Sequence, residues 1–233
     1  MRRALTFAVL VAACFVWQTA VARADACIAD KAGGLVCGSG KEAIRVFDDT
    51  VSPSKEFAFA WRSGNGLPEG DDIPEGVENV LIRIIDGTVL AKLGGVYWAT
   101  GEMRANRYDL VAAWSPDSRA VVEVANSRWD TDSFAWYRID GATVAKLDLR
   151  EPVKSAVLAK ARVRAQKRSN YAFRIRDEYP VTLDAQGRLR FIAGLFVPKS
   201  DEGDLDYKVQ VDIVSKAGKP AARIVSVQRT KAD

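Results

Sequence analysis

Two passages of this chain follow one plan, and that plan commits the middle of the sequence to antiparallel β structure. Ser52-Pro53-Ser54-Lys55 leads into Glu56-Phe57-Ala58, and Ser115-Pro116-Asp117-Ser118 leads into Arg119-Ala120-Val121. Downstream of each stands an Ile-Asp-Gly, at Ile85-Asp86-Gly87 and Ile139-Asp140-Gly141, followed by an apolar run ending at Leu93 or Leu147. Proline presets φ at the second position of a turn, and short Ser or Asp side chains bond their own backbone, so each Ser-Pro is a tight turn. Asp-Gly between apolar residues closes a hairpin because glycine accepts a positive φ. Each copy therefore reads turn, strand, loop, strand, hairpin turn, strand. The span from the serine to the Asp-Gly aspartate is 34 residues in the first copy and 25 in the second, and the excess of nine lies in the loop from Gly64 to Val77.

Residue periodicity agrees with strands. Phe57, Phe59 and Trp61 fall on one face of a strand and Ala58 and Ala60 on the other, a large-against-small alternation suited to sheets packed face to face. Residues 79–85 and 120–125 read as mostly buried strands, and Phe134-Ala135-Trp136 repeats the aromatic spacing. Trp61, Trp98, Trp114, Trp129 and Trp136 are expected in the core.

The Trp114-Ser115-Pro116-Asp117-Ser118 turn entering an apolar strand, with the later Ile139-Asp140-Gly141 hairpin, resembles a blade of the TolB-like or WD40-like β-propeller families. The likeness covers about residues 46–147 and implies antiparallel meanders with a binding surface; it brings no catalytic residues. The repeat starts are 63 residues apart, against about 40 to 45 for a usual blade, and the chain is short for a closed ring.

The N-terminus reads as an export signal. Arg2 and Arg3 precede an apolar run of 14 residues from Ala4 to Trp17, and Ala22-Arg23-Ala24 supplies the small residues of a cleavage site. Such a run is shorter than the roughly 20 residues of a membrane span, and no later run approaches that length. Removing residues 1–24 takes away Arg2, Arg3 and Arg23 and leaves 209 residues with 34 − 3 = 31 basic against 30 acidic groups. A charge so near neutral does not support nucleic-acid binding. Cys27 and Cys37 then remain as a pair and are expected to form a disulfide in a periplasmic or secreted protein. Lipidation of Cys27 is the rival, on a poor lipobox.

After Asp148 comes Glu151-Pro152 and a glycine-free stretch from Val153 to Ser169, which the composition predicts as the one helix, with an apolar stripe of Val157, Leu158, Ala161 and Ala165 lying on a sheet. From Arg150 to Arg176 there are nine basic residues and one acid, Glu151. Lys154, Lys160, Arg162, Arg164, Lys167 and Arg168 are the candidates for holding an anionic partner, either an envelope protein or an anionic envelope polymer. A loop bearing Glu69, Asp71, Asp72, Glu75 and Glu78 could face the helix or take a hard cation, but its spacing fits no EF-hand, and no metal or cofactor is expected. Residues 171–176, 181–183, 188–198, 207–215 and 221–227 read as further strands.

The chain contains no histidine, which excludes serine triads, papain-type dyads and zincin motifs. Two carboxylates could still hydrolyse a glycoside, with Glu123 and Glu102 the candidates beside tryptophans that could stack on sugar. The reading set against it is a non-catalytic exported binding or scaffolding protein of the cell envelope. The expected architecture is mainly β, with antiparallel meanders resembling propeller blades and one helix packed on a C-terminal antiparallel sheet. The expected divisions are 1–24 signal peptide, 25–45 disulfide loop, 46–149 repeated meanders, and 150–233 helix plus sheet.

Overall fold

The structure, a computed structural model, describes residues 27–30, 34–68, 72–100, 103–198 and 204–230. The expected signal peptide lies outside these residues, as do Glu69, Asp71 and Glu102. The described chain is mainly β, with antiparallel sheets and one α-helix.

The first sheet is a meander in chain order: β1 (Ile28–Ala29), β2 (Leu35–Cys37), β3 (Ile44–Val46), β4 (Phe57–Arg62), β5 (Glu78–Arg83) and β6 (Thr88–Lys92). A short ribbon of β7 (Ala99–Thr100) and β8 (Met103–Arg104) follows. The second sheet is again a meander, β9 (Asp109–Trp114), β10 (Ala120–Asn126), β11 (Thr131–Asp140) and β12 (Thr143–Asp148). After helix α1 (Arg150–Lys160) comes the third sheet, formed by β13 (Ala172–Ile175), β14 (Thr182–Leu183), β15 (Arg188–Phe196), β16 (Leu205–Lys216) and β17 (Lys219–Arg229), with β13 and β14 both pairing with β15.

The two Ser-Pro turns close by the same bonds. Ser52 N donates to Phe57 O at 2.8 Å and Phe57 N to Ser52 Oγ at 3.1 Å, while Ser115 N donates to Ala120 O at 2.8 Å and Ala120 N to Ser115 Oγ at 2.9 Å. The fourth turn residue is left-handed in both, with φ 62° at Lys55 and 59° at Ser118. The Asp-Gly hairpins differ. Asp140 pairs with Thr143 across a two-residue turn, whereas a bulge at Leu81/Ile82 leaves Ile84 to Gly87 as a four-residue turn. There Arg83 ion-pairs with Asp86, and those hydrogen bonds hold the Asp86 carboxyl down to about 2.

The second sheet is the middle layer. On β10, Val121 and Ala125 pack with Phe59, Trp61 and Leu81 of the first sheet, while Val122 and Val124 pack with Phe173, Leu189, Phe191 and Leu195 of the third. Every residue of β10 is buried, as a strand covered on both faces must be. Trp61 and Trp136 are buried as expected, with 0% and 6% of their surface exposed. Trp129 departs from expectation at 43% exposed, because it stands in the β10–β11 loop rather than on a strand.

The helix is shorter than the composition predicts, and the difference has a local cause. Arg162 adopts φ 58°, its N–H donates to Ala159 O at 3.0 Å, and Val163 N–H donates to Leu158 O at 3.1 Å. This paired closure ends α1 without the glycine that usually marks it. A separate 3-10 helix, Ala165–Asn170, carries the rest of the predicted stretch, so Ala165 is exposed and the buried face is Val153, Val157 and Leu158. That face packs into a core shared by the second and third sheets, so residues 150–233 bury their apolar surface against 46–149.

Candidate functional site

The nine basic residues from Arg150 to Arg176 divide into two groups. Arg150 pairs with Asp130 and Glu151, Arg174 with Asp109 and Asp177, and Arg176 with Asp204 and Asp206, ties that fasten α1 and β13 to neighbouring loops. Lys154, Lys160, Arg162, Arg164, Lys167 and Arg168 make no ion pair among the described residues. Lys154 is half-buried on α1 and the other five are exposed. The structure therefore leaves five cations wet and unneutralised within nine residues, on the helix end and the 3-10 turn that follows.

An exposed aromatic, Trp129, connects to this segment indirectly, through the strand that follows it. Tyr171 N–H donates to Arg168 O, and the next residue, Ala172, pairs with Phe196 at the end of β15. The Phe196 ring lies 6.2 Å from that of Trp129, and the Arg128 guanidinium sits 4.4 Å from the Trp129 ring. Sequence reading assigned Trp129 to the core and missed this placement. The signal present was its position between Arg128 and Asp130, where no strand alternation holds.

Glu123 occupies the centre of β10 and is completely buried. Its Oε1 accepts from Gly94 N at 2.8 Å and Gly95 N at 2.9 Å, and its Oε2 accepts from Tyr137 Oη at 2.8 Å. Burial, with the nearby Glu123 charge, raises the Tyr137 phenol well above its ordinary value. From the first sheet, Asn79 grips the same loop through Tyr97 N at 2.7 Å and Tyr97 O at 2.5 Å. Gly95 is required there, since a Cβ would stand 2.6 Å from that of Ala125. Both oxygens of Glu123 are thus engaged, Oε1 with the loop that follows the first sheet and Oε2 with Tyr137 of its own sheet, and Glu102, its proposed catalytic companion, lies outside the described residues. In the acidic loop, Glu78 bonds Lys92 and Arg62, which lower its carboxyl below the usual range. Among the described residues no three potential metal ligands gather.

Cys27 and Cys37 form the expected disulfide, and among the described residues no helix is long and apolar enough to cross a membrane. Both are compatible with a secreted or periplasmic protein. No protein-family model matches the chain, and comparison with curated proteins finds no match.

Proposed function

We propose that this chain is an exported, non-catalytic binding or scaffolding protein of the cell envelope, built from blade-like meanders, that docks on anionic envelope material through residues 160–168. The observation that carries this reading is the row of five exposed, unpaired cations from Lys160 to Arg168, in a chain that neutralises its other nearby arginines. Concentrated positive charge attracts an anionic surface, and the attraction is screened over about 8 to 10 Å at moderate ionic strength. Trp129 with its stacked Arg128 supports a lipid surface in particular, because an indole is apolar in body and polar at one edge and settles at headgroup level. The disulfide and the predicted signal peptide support the envelope as the place. The resemblance to TolB-like or WD40-like blades is supported by the matching Ser-Pro turns and by the stacking of meanders face to face.

The test is sedimentation with vesicles of phosphatidylglycerol and phosphatidylethanolamine, compared with phosphatidylcholine alone, at low and high salt. Wild type is expected to bind only the anionic vesicles and to be released by salt. Reversing Lys160, Arg164 and Lys167 to glutamate should weaken binding at least tenfold, with unchanged stability because the positions are exposed. Equal binding of variant and wild type at low salt overturns the proposal.

A further inference from the structure

A cavity of about 460 Å³ opens between the second and third sheets, and none of its lining residues belongs to α1 or to the turn that follows it. Its walls come from three places: the Ser115–Ser118 turn with the adjoining ends of β10 and β11, the turn from Asp184 to Gly187, and the β16–β17 hairpin. Its volume falls within the range of about 300 to 1,000 Å³ typical of small-molecule sites.

The lining has a division of labour. Trp136, Leu183, Ile213 and Pro220 supply an apolar wall. Two carboxylates are present, and both are occupied in shaping turns. Asp117 accepts from Ser115 Oγ at 2.6 Å and from Arg119 N at 3.0 Å, and Asp184 accepts from Gln186 N at 3.0 Å and Arg188 N at 2.8 Å. Two guanidiniums, Arg119 and Arg138, also line the cavity; neither makes a side-chain hydrogen bond or close ion pair with a described residue, and the Arg138 charge acts on Asp117 at longer range, adding to the Ser115 hydrogen bond that lowers its carboxyl. Arg138 pairs across the strands with Ala120, on the face that carries Trp136, and Arg119, the residue before Ala120, starts from the opposite face at the strand end, so the two arginines approach the cavity from different sides of that strand end.

One further group lacks a partner. Trp136 Nε1 is buried and finds no hydrogen-bond acceptor among the described residues. The ring of Trp136 lines the cavity while Nε1 itself is closed off from solvent, so a ligand there meets the ring rather than the N–H.

We propose that this cavity binds a small amphipathic organic anion, an apolar body ending in a carboxylate, with Arg119 and Arg138 holding the anion and the ring of Trp136 forming part of the apolar wall. The two arginines suit a carboxylate because guanidinium donors match its two oxygens. The apolar wall then removes the body of the ligand from water. This inference stands independently of the anionic-surface reading, since it uses none of residues 154–168.

The experiment uses decanoate as the probe and decanamide as its uncharged counterpart. Binding is followed by the Trp136 Nε1–H resonance in nitrogen-15-labelled protein. The resonance is assigned by its loss in Trp136→Phe, or by backbone assignment if that variant does not fold. Saturable movement of this resonance with decanoate, at least tenfold weaker with decanamide and at least tenfold weaker in the Arg119→Gln, Arg138→Gln double variant, supports the site. Both arginines are exposed, so the double variant is expected to fold. No movement with decanoate, equal affinity for decanamide, or unchanged affinity in the double variant overturns it. Vesicle binding by the double variant should equal that of wild type, which keeps the two proposals separable.

Discussion

Ser54 donates its backbone N–H to the hydroxyl of Ser118 at 2.9 Å, so the two Ser-Pro turns, 63 residues apart in sequence, touch each other. Trp114 Nε1 reinforces the contact by donating to Thr50 O at 2.8 Å. The same residue that closes the second turn therefore also ties the first sheet to the second. Ser118 is buried and left-handed, at φ 59°. Ser118→Ala should cost about 1 to 2 kcal/mol in urea unfolding, because Ser54 N–H loses its acceptor while the backbone strain remains. Ser118→Gly loses the same bond but relaxes the φ, so its cost should be smaller. Two variants as stable as wild type would show that this contact contributes nothing.

Glu123 accepts from three donors: the backbone N–H groups of Gly94 and Gly95, which link its strand to the loop after the first sheet, and Tyr137 of its own sheet. Glu123→Ala should destabilise by about 3 kcal/mol or more, since three buried donors lose their acceptor at about 1 to 3 kcal/mol each where none is replaced. Glu123→Gln should cost less, since one amide oxygen can still accept from Gly94 and Gly95. Gly95→Ala should be damaging as well, because its Cβ would meet that of Ala125 at 2.6 Å, far inside van der Waals contact. Chemical denaturation of the three variants checks the order; a Glu123→Ala variant within 1 kcal/mol of wild type (about fivefold in the folding equilibrium) would remove Glu123 as the joint.

The Tyr137 phenol gives a pH dependence with a definite sign. Burial raises its folded-state value, so the folded protein holds this proton more tightly than the unfolded chain does. The contribution is complete below the unfolded phenol's value of about 10 and is lost as pH rises above it. Stability should therefore fall steadily above about pH 10. Tyr137→Phe should be less stable at neutral pH, since Glu123 Oε2 loses its donor, yet show a shallower alkaline decline. Some decline remains, because burial also raises Tyr97 and Tyr207. Parallel pH curves for the two proteins would mean that Tyr137 is not the group responsible.

What was legible in the sequence was whatever short-range chemistry dictates. The Ser-Pro turns sit where turn rules put them, a hairpin closes at each Asp-Gly although by turns of different length, and the alternation of Val209, Val211 and Ile213 against Lys208, Gln210 and Asp212 reads straight onto β16. The cysteine pair was legible from its count. What was hidden depends on distant chain segments meeting. Nothing near Glu123 in sequence announces Gly94 and Gly95, although adjacent glycines do hint at close backbone approach. The cavity of Trp136, Arg119 and Arg138 needs the 184–187 turn and the β16–β17 hairpin before it exists. The end of α1 was hidden for a different reason: Arg162 takes a conformation for which its side chain gives no signal.

That residue supplies a prediction in which stability and binding move in opposite directions. Arg162 sits one position past the C-cap Ala161 at φ 58°, where a side chain with Cβ is strained by about 1 to 2 kcal/mol and glycine is not. After the greater freedom of glycine in the unfolded chain is subtracted, Arg162→Gly should stabilise by about 1 kcal/mol or less, raising the melting temperature by about 2 to 4 °C. The same change removes one of the five exposed cations, so affinity for phosphatidylglycerol vesicles should fall and its salt dependence should become shallower. Arg162→Lys keeps both the charge and the strain and should leave both quantities near wild type. A glycine variant that melts higher and binds anionic vesicles as well as wild type would take Arg162 out of the binding row while leaving the helix end as described. A glycine variant that melts no higher would mean that the paired closure by Ala159 and Leu158 carbonyls already holds the turn without cost.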